Sequence, residues 1–461
     1  MRRWSSSDWL RNAAALAMLV FCGACASANV AAPEAGVDGR DDVAASTPVQ
    51  FIEDDFDRAV ATADKDGRLV FVDAWAPWCH TCLSMRDVVL SRPELGRFAR
   101  DYVFVAVDTD KPSSAAFLER YRLRVWPTFF VVDPSTRAVV AMHGGSASFE
   151  ELEAMLTNAT AQQRGAELPG TKELVSAHDA YADKRLLDAA RLYEDAATKL
   201  PDMRRTEALL AAIRTLWEAG EHARCVEHGE QHARAVRGSS APSDFVLYMK
   251  ECASALTDEE AKKTAIAFVR TRLGELVTSP PAGASVDDRA DTMGGLAEIL
   301  RDGGDAAGAN ALEEKRLALL EKSASEAASP AAAQTYDYAR MNAYIALGRG
   351  DDAVKMFQQR IQQLPDSYEA HARLGSTLLE IGRPKEAVTA LDRAIQLSYG
   401  PRRLRYIAQR AKALEAAGDR PGAVKALEAE VEGWRELPAS QQDEKKLADA
   451  MKRLEKARSG P

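Results

Sequence analysis

The sequence predicts an α/β domain followed by an all-helical repeat array. Between residues 51 and about 160, apolar segments typical of buried strands alternate with helical segments, and the region closes with two strands and a helix. From about residue 171 onward the pattern is helical throughout, and similar segments recur at spacings of 34 and 36 residues. At 461 residues, the chain is also too long for one compact domain.

The N-terminus has the three parts of a secretory signal, because residues 1–25 combine a basic flank, a short apolar run and small residues. The segment CGAC resembles a bacterial lipoprotein signal, which would make Cys25 the lipidated first residue, although Cys22 stands where that family usually has Leu. Ordinary cleavage after Ala28 is the alternative. We favour the lipoprotein, which predicts a periplasm-facing protein exported from a bacterial cytoplasm and anchored by lipid to the inner or the outer membrane.

Residues 26–50 lack periodicity and are rich in Ala, Asp, Gly and Pro, so we expect a flexible linker. The formal net charge of −9 gives no basic footprint for nucleic acid. We therefore exclude nucleic acid as a partner.

The elements of the α/β domain, residues 51–160, are predicted from periodicity and turn signals. We expect helices at residues 51–63, 82–91, 115–123 and 148–160, and strands at residues 68–76, 101–110, 126–133 and 137–144. A DPST turn joins the last two strands, and the arrangement predicts a mixed central sheet.

Two cysteines lie where the first long strand gives way to a helix. Free backbone N–H groups and the positive helix end favour a thiolate at Cys79, and a protonated His80 favours it too. Cys82, one turn further, is expected to be less exposed, so Cys79 would attack a substrate and Cys82 would resolve the mixed disulfide. Asp73 lies on an otherwise apolar strand, where a raised pKa would let it take the proton from Cys82. The dipeptide of His80 and Thr81 would tune the redox potential.

Together, DAWAPW before the cysteines and RVWPTFFVV after them resemble the thioredoxin superfamily, and residues 75–110 are similar to the C-terminal domain of DsbD-type thiol:disulfide interchange proteins. The resemblance implies that Pro127 is cis and lies beside the cysteine pair, and that Trp126 offers its backbone to a substrate strand. Trp78 would border the same substrate. Reduction rather than oxidation rests on the DsbD resemblance. The thioredoxin lysine near Asp73 is replaced by an apolar residue around Phe104.

Blander interpretations of these residues remain open. The cysteine pair could form an inert disulfide, whereas zinc would need about four ligands and residues 51–160 offer no second CxxC or closely spaced His pair. Asp73 could be a carboxylate satisfied by backbone donors, and Pro127 could be an ordinary trans proline. We expect no metal and no cofactor at this site.

After a linker at residues 161–172, the region 173–458 resembles tetratricopeptide repeats, most clearly at 334–437. Three segments superimpose on one glycine and one alanine each, namely Gly348, Gly382, Gly418, Ala353, Ala387 and Ala423. Such arrays commonly bind a peptide or protein partner, although a spacer or an oligomerisation surface is the alternative. One segment holds His222, Cys225, His228 and His232, for which we favour core packing over metal binding.

These observations predict an exported thiol-disulfide oxidoreductase whose repeats recruit a partner. Its partners would be disulfide-containing client proteins and a protein electron donor, because no electron-carrying membrane segment is apparent. The alternative is a cell-envelope scaffold or assembly protein in which the thioredoxin-like region is a non-catalytic binding module.

Overall fold

The computed structural model describes residues 48–123 and 125–459, so the predicted signal and the lipidation candidate Cys25 lie outside the described residues. Among the helices in those ranges, none is both long enough and apolar enough to cross a bilayer.

The N-terminal domain is built on a mixed sheet with the strand order β1-β3-β2-β4-β5. The strands are β1 Ile52–Glu53, β2 Leu69–Trp75, β3 Tyr102–Asp108, β4 Thr128–Val132 and β5 Val139–Gly144. β3 pairs in parallel with both β1 and β2, whereas β4 pairs antiparallel with β2 and β5. The predicted mixed α/β domain is confirmed.

Helices cover both faces of this sheet, which explains why β2 and β3 are apolar along nearly their whole length. The helices are α1 Phe56–Asp66, α2 His80–Ser84, α3 Ala115–Arg120 and α4 Phe149–Gln163. α2 continues as a π-helical segment, Met85–Leu90, and 3₁₀ turns span Pro93–Arg100 and Pro112–Ser114. One core layer centres on Phe71, Phe104 and Phe129, and the opposite layer on Val72 and Phe117.

The start of the domain differs from the expected helix at residues 51–63. Ile52–Glu53 forms an edge strand on β3, and the helix begins only at Phe56. The cause is Asp55, whose side chain accepts a hydrogen bond from the Arg58 N–H and so caps the helix at this point.

The rest of the described chain is a helical solenoid. Its helices are α5 Thr171–Ala182, α6 Leu186–Lys199, α7 Asp202–Glu218, α8 His222–His232, α9 Ala241–Ser254, α10 Glu259–Thr278, α11 Val286–Asp302, α12 Ala306–Glu326, α13 Pro330–Gln334, α14 Asp337–Ala346, α15 Gly350–Gln363, α16 Tyr368–Glu380, α17 Pro384–Leu397, α18 Gly400–Ala416, α19 Arg420–Glu436 and α20 Glu444–Ser459. A 3₁₀ turn, Ala439–Gln441, separates α19 from α20.

The repeat register predicted from the sequence is confirmed at each marker position. Gly348, Gly382 and Gly418 have φ values of 71°, 76° and 84°, a left-handed conformation that suits glycine at a helix end. The three marker alanines are buried, so the second helix of each repeat packs closely against the first.

The solenoid contacts the N-terminal domain at points that are far apart in the sequence. We call the contacting surface of the solenoid its inner face. At one end, the Arg122 guanidinium donates a hydrogen bond to the Ala182 carbonyl, with a distance of 3.4 Å. At the other end, the Gln441 amide donates to the carbonyls of Thr109 and Lys111, both at 2.9 Å. The array therefore curves around one side of the sheet domain.

Candidate active site

The turn after β2 places Cys79 at the start of α2. Cys79 caps the helix, and its Sγ accepts a hydrogen bond from the Cys82 N–H at 3.0 Å. The two residues form a disulfide, with their Cα atoms 5.2 Å apart. A backbone N–H aimed at this sulfur would stabilise negative charge on it after reduction, as expected from the position of Cys79 at a helix start.

Cys82 is the more buried of the two cysteines, as expected, but Cys79 is itself almost completely covered. Cys79 is only 5% exposed and Cys82 is 0% exposed. The cause lies in Trp78 and Trp126, which pack around the pair, and in the solenoid, whose Arg402 guanidinium lies 4.7 Å from the Trp78 ring centroid. The sequence pattern around Cys79 could not indicate that the solenoid covers this residue, because Arg402 lies more than 300 residues downstream.

The peptide bond between Trp126 and Pro127 is cis, as the resemblance implies, and it directly precedes β4. The Trp126 ring packs against the Trp78 ring with centroids 5.3 Å apart, which places the proline loop beside the cysteine loop. The Trp126 indole N–H donates to Thr109 Oγ1 at 2.8 Å and so fixes the orientation of the ring.

Asp73 lies in the middle of β2 and is only 1% exposed. Neither of its carboxylate oxygens has a hydrogen-bond partner. Burial raises the pKa of Asp73 to about 7, against a smaller lowering by Arg86, while the nearby Glu53 raises it further. A carboxyl group with this pKa can either hold or release a proton near neutral pH.

Arg86 is a site residue that sequence reasoning missed. Its Nε lies 3.9 Å from Asp73 Oδ2, its guanidinium lies 4.0 Å from the Trp75 ring centroid, and it donates to Glu53 at 2.8 Å. Phe104, which stands near the position of the thioredoxin lysine, lies opposite Phe71 in the sheet register and supplies no cation. The cation beside the buried carboxylate therefore comes from the π-helical segment; its only sequence signal is a basic residue one turn after Cys82.

His80, inside the cysteine motif, contacts the solenoid. Its Nε2 lies 3.6 Å from Asp287 Oδ2 and 3.7 Å from Asp291 Oδ2, both on α11, and its ring lies 5.7 Å from that of Tyr338. Burial alone would lower the pKa of His80, but the two carboxylates outweigh it and raise the pKa to about 9. The imidazole is therefore a cation at neutral pH.

The same three side chains are the candidate metal ligands among the described residues, since their ligand atoms lie within 4.8 Å of one another. A metal ion would have to displace the proton that the pKa of His80 places on the imidazole. The protonated His80 already supplies a positive charge between Asp287 and Asp291.

The end of β3 is tied to both sides of the site. The Trp78 indole N–H donates to Asp110 Oδ2 at 2.8 Å, and the Tyr399 hydroxyl donates to Asp108. Gly400, with φ of 56°, follows Tyr399 and packs directly against the Asp110 carbonyl, where no side chain would fit. The cysteine loop is thus held from the last repeats as well as from its own domain.

A cavity of about 650 Å³ separates the cysteine and proline loops from the solenoid. We call it the interdomain cleft. It is lined by Thr81, Val125 and Trp126 on one side and by residues of α7, α9, α11 and α12 on the other. Of the residues predicted around the cysteine pair, Thr81 and Trp126 therefore face this cleft, whereas His80 contacts its acidic side.

The histidine-rich segment of α8 is packed into the core of the solenoid at Cys225 and His228. Cys225 is fully buried and forms a disulfide with Cys252 on α9, and buried His228 lies 3.2 Å from the Leu209 carbonyl through its Nε2. Core packing is confirmed for Cys225 and His228. The disulfide itself was missed, although the four cysteines left after the predicted signal are an even number that allows two pairs.

Comparison with known families agrees with this geometry. A model for thioredoxin-like proteins matches residues 51–134, and a tetratricopeptide-repeat model matches residues 344–405. The chain joins a thioredoxin-like domain to a tetratricopeptide-repeat solenoid. The thioredoxin-like domain is also similar to an H-type thioredoxin from Oryza sativa subsp. indica, with 28% identity over 89 residues. That match covers 19% of this chain and 66% of the length of the rice protein.

Solved tetratricopeptide-repeat proteins resemble the solenoid. A repeat protein from Parabacteroides merdae has a TM-score of 0.38 at 10% identity, and the match covers 62% of this chain and 98% of that one. A thermophilic repeat protein from Thermus thermophilus has a TM-score of 0.31 at 20% identity, covering 46% of this chain and 99% of that one.

Proposed function

We propose that this protein is an exported thiol-disulfide oxidoreductase that acts on disulfide-containing client proteins. The observation that carries the proposal is the Cys79–Cys82 disulfide at a helix start, packed against the loop of a cis proline, with a buried carboxyl group on the adjoining strand. Thioredoxin-like proteins use such a dithiol to exchange disulfides.

The proposed cycle starts from the reduced pair. The Cys79 thiolate attacks one sulfur of a client disulfide, forming a mixed disulfide and releasing the other client sulfur as a thiolate, which takes up a proton. Asp73 accepts the proton of Cys82, whose thiolate then attacks Cys79 Sγ. The second client sulfur leaves as a thiolate and takes up the proton that Asp73 releases, so the client leaves with two thiols. The protein keeps the Cys79–Cys82 disulfide, and a protein dithiol donor must return the two electrons.

In this cycle, Trp78, Trp126 and Pro127 border the client strand, while His80 and Thr81 set the potential of the pair. Reduction is the proposed direction because of the similarity to DsbD-type domains. A reduction potential close to the value of about −120 mV of the strong oxidant DsbA would reverse that direction.

The experiment that tests the proposal is trapping of clients by Cys82→Ser, with Cys79→Ser as the matched control. Without the resolving thiol, the mixed disulfide on Cys79 accumulates, so C82S should yield covalent adducts that a reductant releases and C79S should yield none. The wild-type protein, reduced beforehand, should also reduce a model peptide disulfide. Absence of both adducts and peptide reduction would refute the enzymatic proposal.

A second candidate is a cell-envelope scaffold whose thioredoxin-like domain only binds. The burial of Cys79 under Trp78 and the solenoid favours this candidate, because a covered thiol reacts slowly. The trapping experiment separates the two, since a scaffold gives no reductant-sensitive adduct.

Export and lipidation at Cys25 are part of the proposal and rest on the sequence alone. Cys25→Ser should abolish labelling by a lipid precursor and release the protein from the membrane fraction. Unchanged labelling of the variant would refute lipidation at this residue, and absence of labelling in wild type would leave cleavage after Ala28.

A further inference from the structure

The interdomain cleft borders the cysteine motif and is charged on one side. Thr81 and Trp126 form part of one wall, and Asp244 of α9 with Asp287, Asp288 and Asp291 of α11 forms much of the other. We call these four residues the acidic wall. Asp287 and Asp291 lie four residues apart in one helix, which places them on the same side of it.

Two of the four basic side chains of the cleft pair with carboxylates outside the acidic wall, whereas Arg301 donates to Asn310 and Arg214 lies over the Tyr181 ring. In all, seven acidic and four basic side chains line the cavity. The Lys250 ammonium lies 2.9 Å from Glu251 and 2.8 Å from Glu298, and the Arg316 guanidinium donates to Glu313 at 3.3 Å. The acidic wall is left with a distant contact of 3.9 Å between Arg316 and Asp291 and with the His80 imidazole.

Two members of the acidic wall are incompletely compensated. Asp287 Oδ1 is buried without a hydrogen-bond partner, and the side chain is only 5% exposed. Asp244 makes no ion pair within the described residues. Burial and repulsion by the other three carboxylates raise its pKa well above the usual range. Both features are typical of a site that gains stability when a positive group enters.

We propose that the acidic wall selects client segments that carry a lysine or arginine near the cysteine attacked by Cys79. This inference rests on the proposed oxidoreductase function and names its substrate class. The methylene stem of such a side chain would lie along Trp126, and its charged head would pair with Asp244 and Asp291. The cavity of about 650 Å³ accommodates several side chains, which favours a peptide over a bare cation. Acidic segments would be repelled.

The test uses the full chain and two peptide disulfides that differ only in flanking residues, Lys in one and Glu in the other, each measured with and without EDTA. We expect wild type to reduce the Lys peptide with a kcat/KM about tenfold above that of the Glu peptide. The double variant D244N/D291N keeps the His80 contact with Asp287 and should lower the preference to about twofold. Asp302→Asn, an exposed change at the end of α11, is the matched control and should keep the full preference.

Each outcome decides one question. Failure of wild type to reduce either peptide refutes the proposed function. Equal reduction of both peptides by wild type, or a preference unchanged in D244N/D291N, refutes the inference and leaves the function standing. A preference that appears only without EDTA also refutes it, because a metal bound by His80, Asp287 and Asp291 would then be the cause. Folding of the double variant is checked by its helical circular dichroism signal and its urea midpoint, which should match those of wild type.

Discussion

Replacing Asp73 by Asn should stabilise the thioredoxin-like domain at high pH far more than at low pH. The folded chain raises the pKa of this carboxyl from 3.8 to about 7, chiefly through burial. Between these values the unfolded chain releases the proton while the folded chain keeps it, so the free energy of unfolding falls as the pH rises from about 4 to 7. The amide of Asn has no proton to lose in this range.

The magnitude follows from the size of the shift. Each pH unit between the two pKa values costs about 1.4 kcal/mol. Relative to low pH, titration of Asp73 therefore lowers the free energy of unfolding by about 4 kcal/mol at pH 8 and by about 1.6 kcal/mol at pH 5. Any cost of burying the Asn amide is the same at both pH values. The stability gain of D73N over wild type should therefore be larger at pH 8 than at pH 5 by about 3 kcal/mol.

Hydrogen exchange followed by mass spectrometry measures this difference in the intact, oxidised chain. Peptides that cover β2 should exchange more slowly in D73N than in wild type, and the ratio of the two rates should grow about 100-fold from pH 5 to pH 8. Asp87→Asn, which alters an exposed carboxylate on the adjacent π-helical segment, is the matched control and should give the same ratio at both pH values. A constant ratio for D73N would show that Asp73 is not the titrating group and would remove it from the proposed cycle.

Two further predictions concern the solenoid. Gly400→Ala places a methyl group against the Asp110 carbonyl, at an overlap cost of about 1–3 kcal/mol. The variant should loosen the solenoid from Trp78 and speed alkylation of the reduced Cys79 by about tenfold. An unchanged alkylation rate would mean that this contact does not limit access to Cys79. Removing the second disulfide with C225A/C252A should lower the free energy of unfolding by about 3–4 kcal/mol, because the two cysteines are 27 residues apart in the sequence. Urea denaturation followed by the helical circular dichroism signal measures this change. An unshifted urea midpoint would contradict a stabilising role of the disulfide.

Much of the fold and the centre of the site could be predicted because their signals are local. The apolar runs of β2 and β3 reflect a sheet covered on both faces, and Gly348 and its equivalents mark turns that need a left-handed residue. The edge strand β1, with only two residues, was missed because two residues show no periodicity. Asp55 marks the true helix start and could have been recognised as a cap.

The partners of the site could not be predicted because they come from distant parts of the chain. His80 meets Asp287 across about 200 residues, and Trp78 meets Arg402 across more than 300. In the sequence of its own helix, each of the charged residues His80, Asp287 and Arg402 looks like an ordinary solvated charge. Only the tertiary arrangement brings them to the cysteine pair. The burial of Cys79 follows from the same long-range contacts.

Because the solenoid lies against its own thioredoxin-like domain, its inner face is already occupied. Helix α4 ends at Gln163 and α5 begins at Thr171, so a short connection holds the two parts together. A tethered occupant has an effective concentration on the order of millimolar. Any free protein that competes for the inner face must displace the tethered thioredoxin-like domain. A partner of ordinary micromolar affinity would therefore bind best on the parts of the solenoid that this domain does not reach.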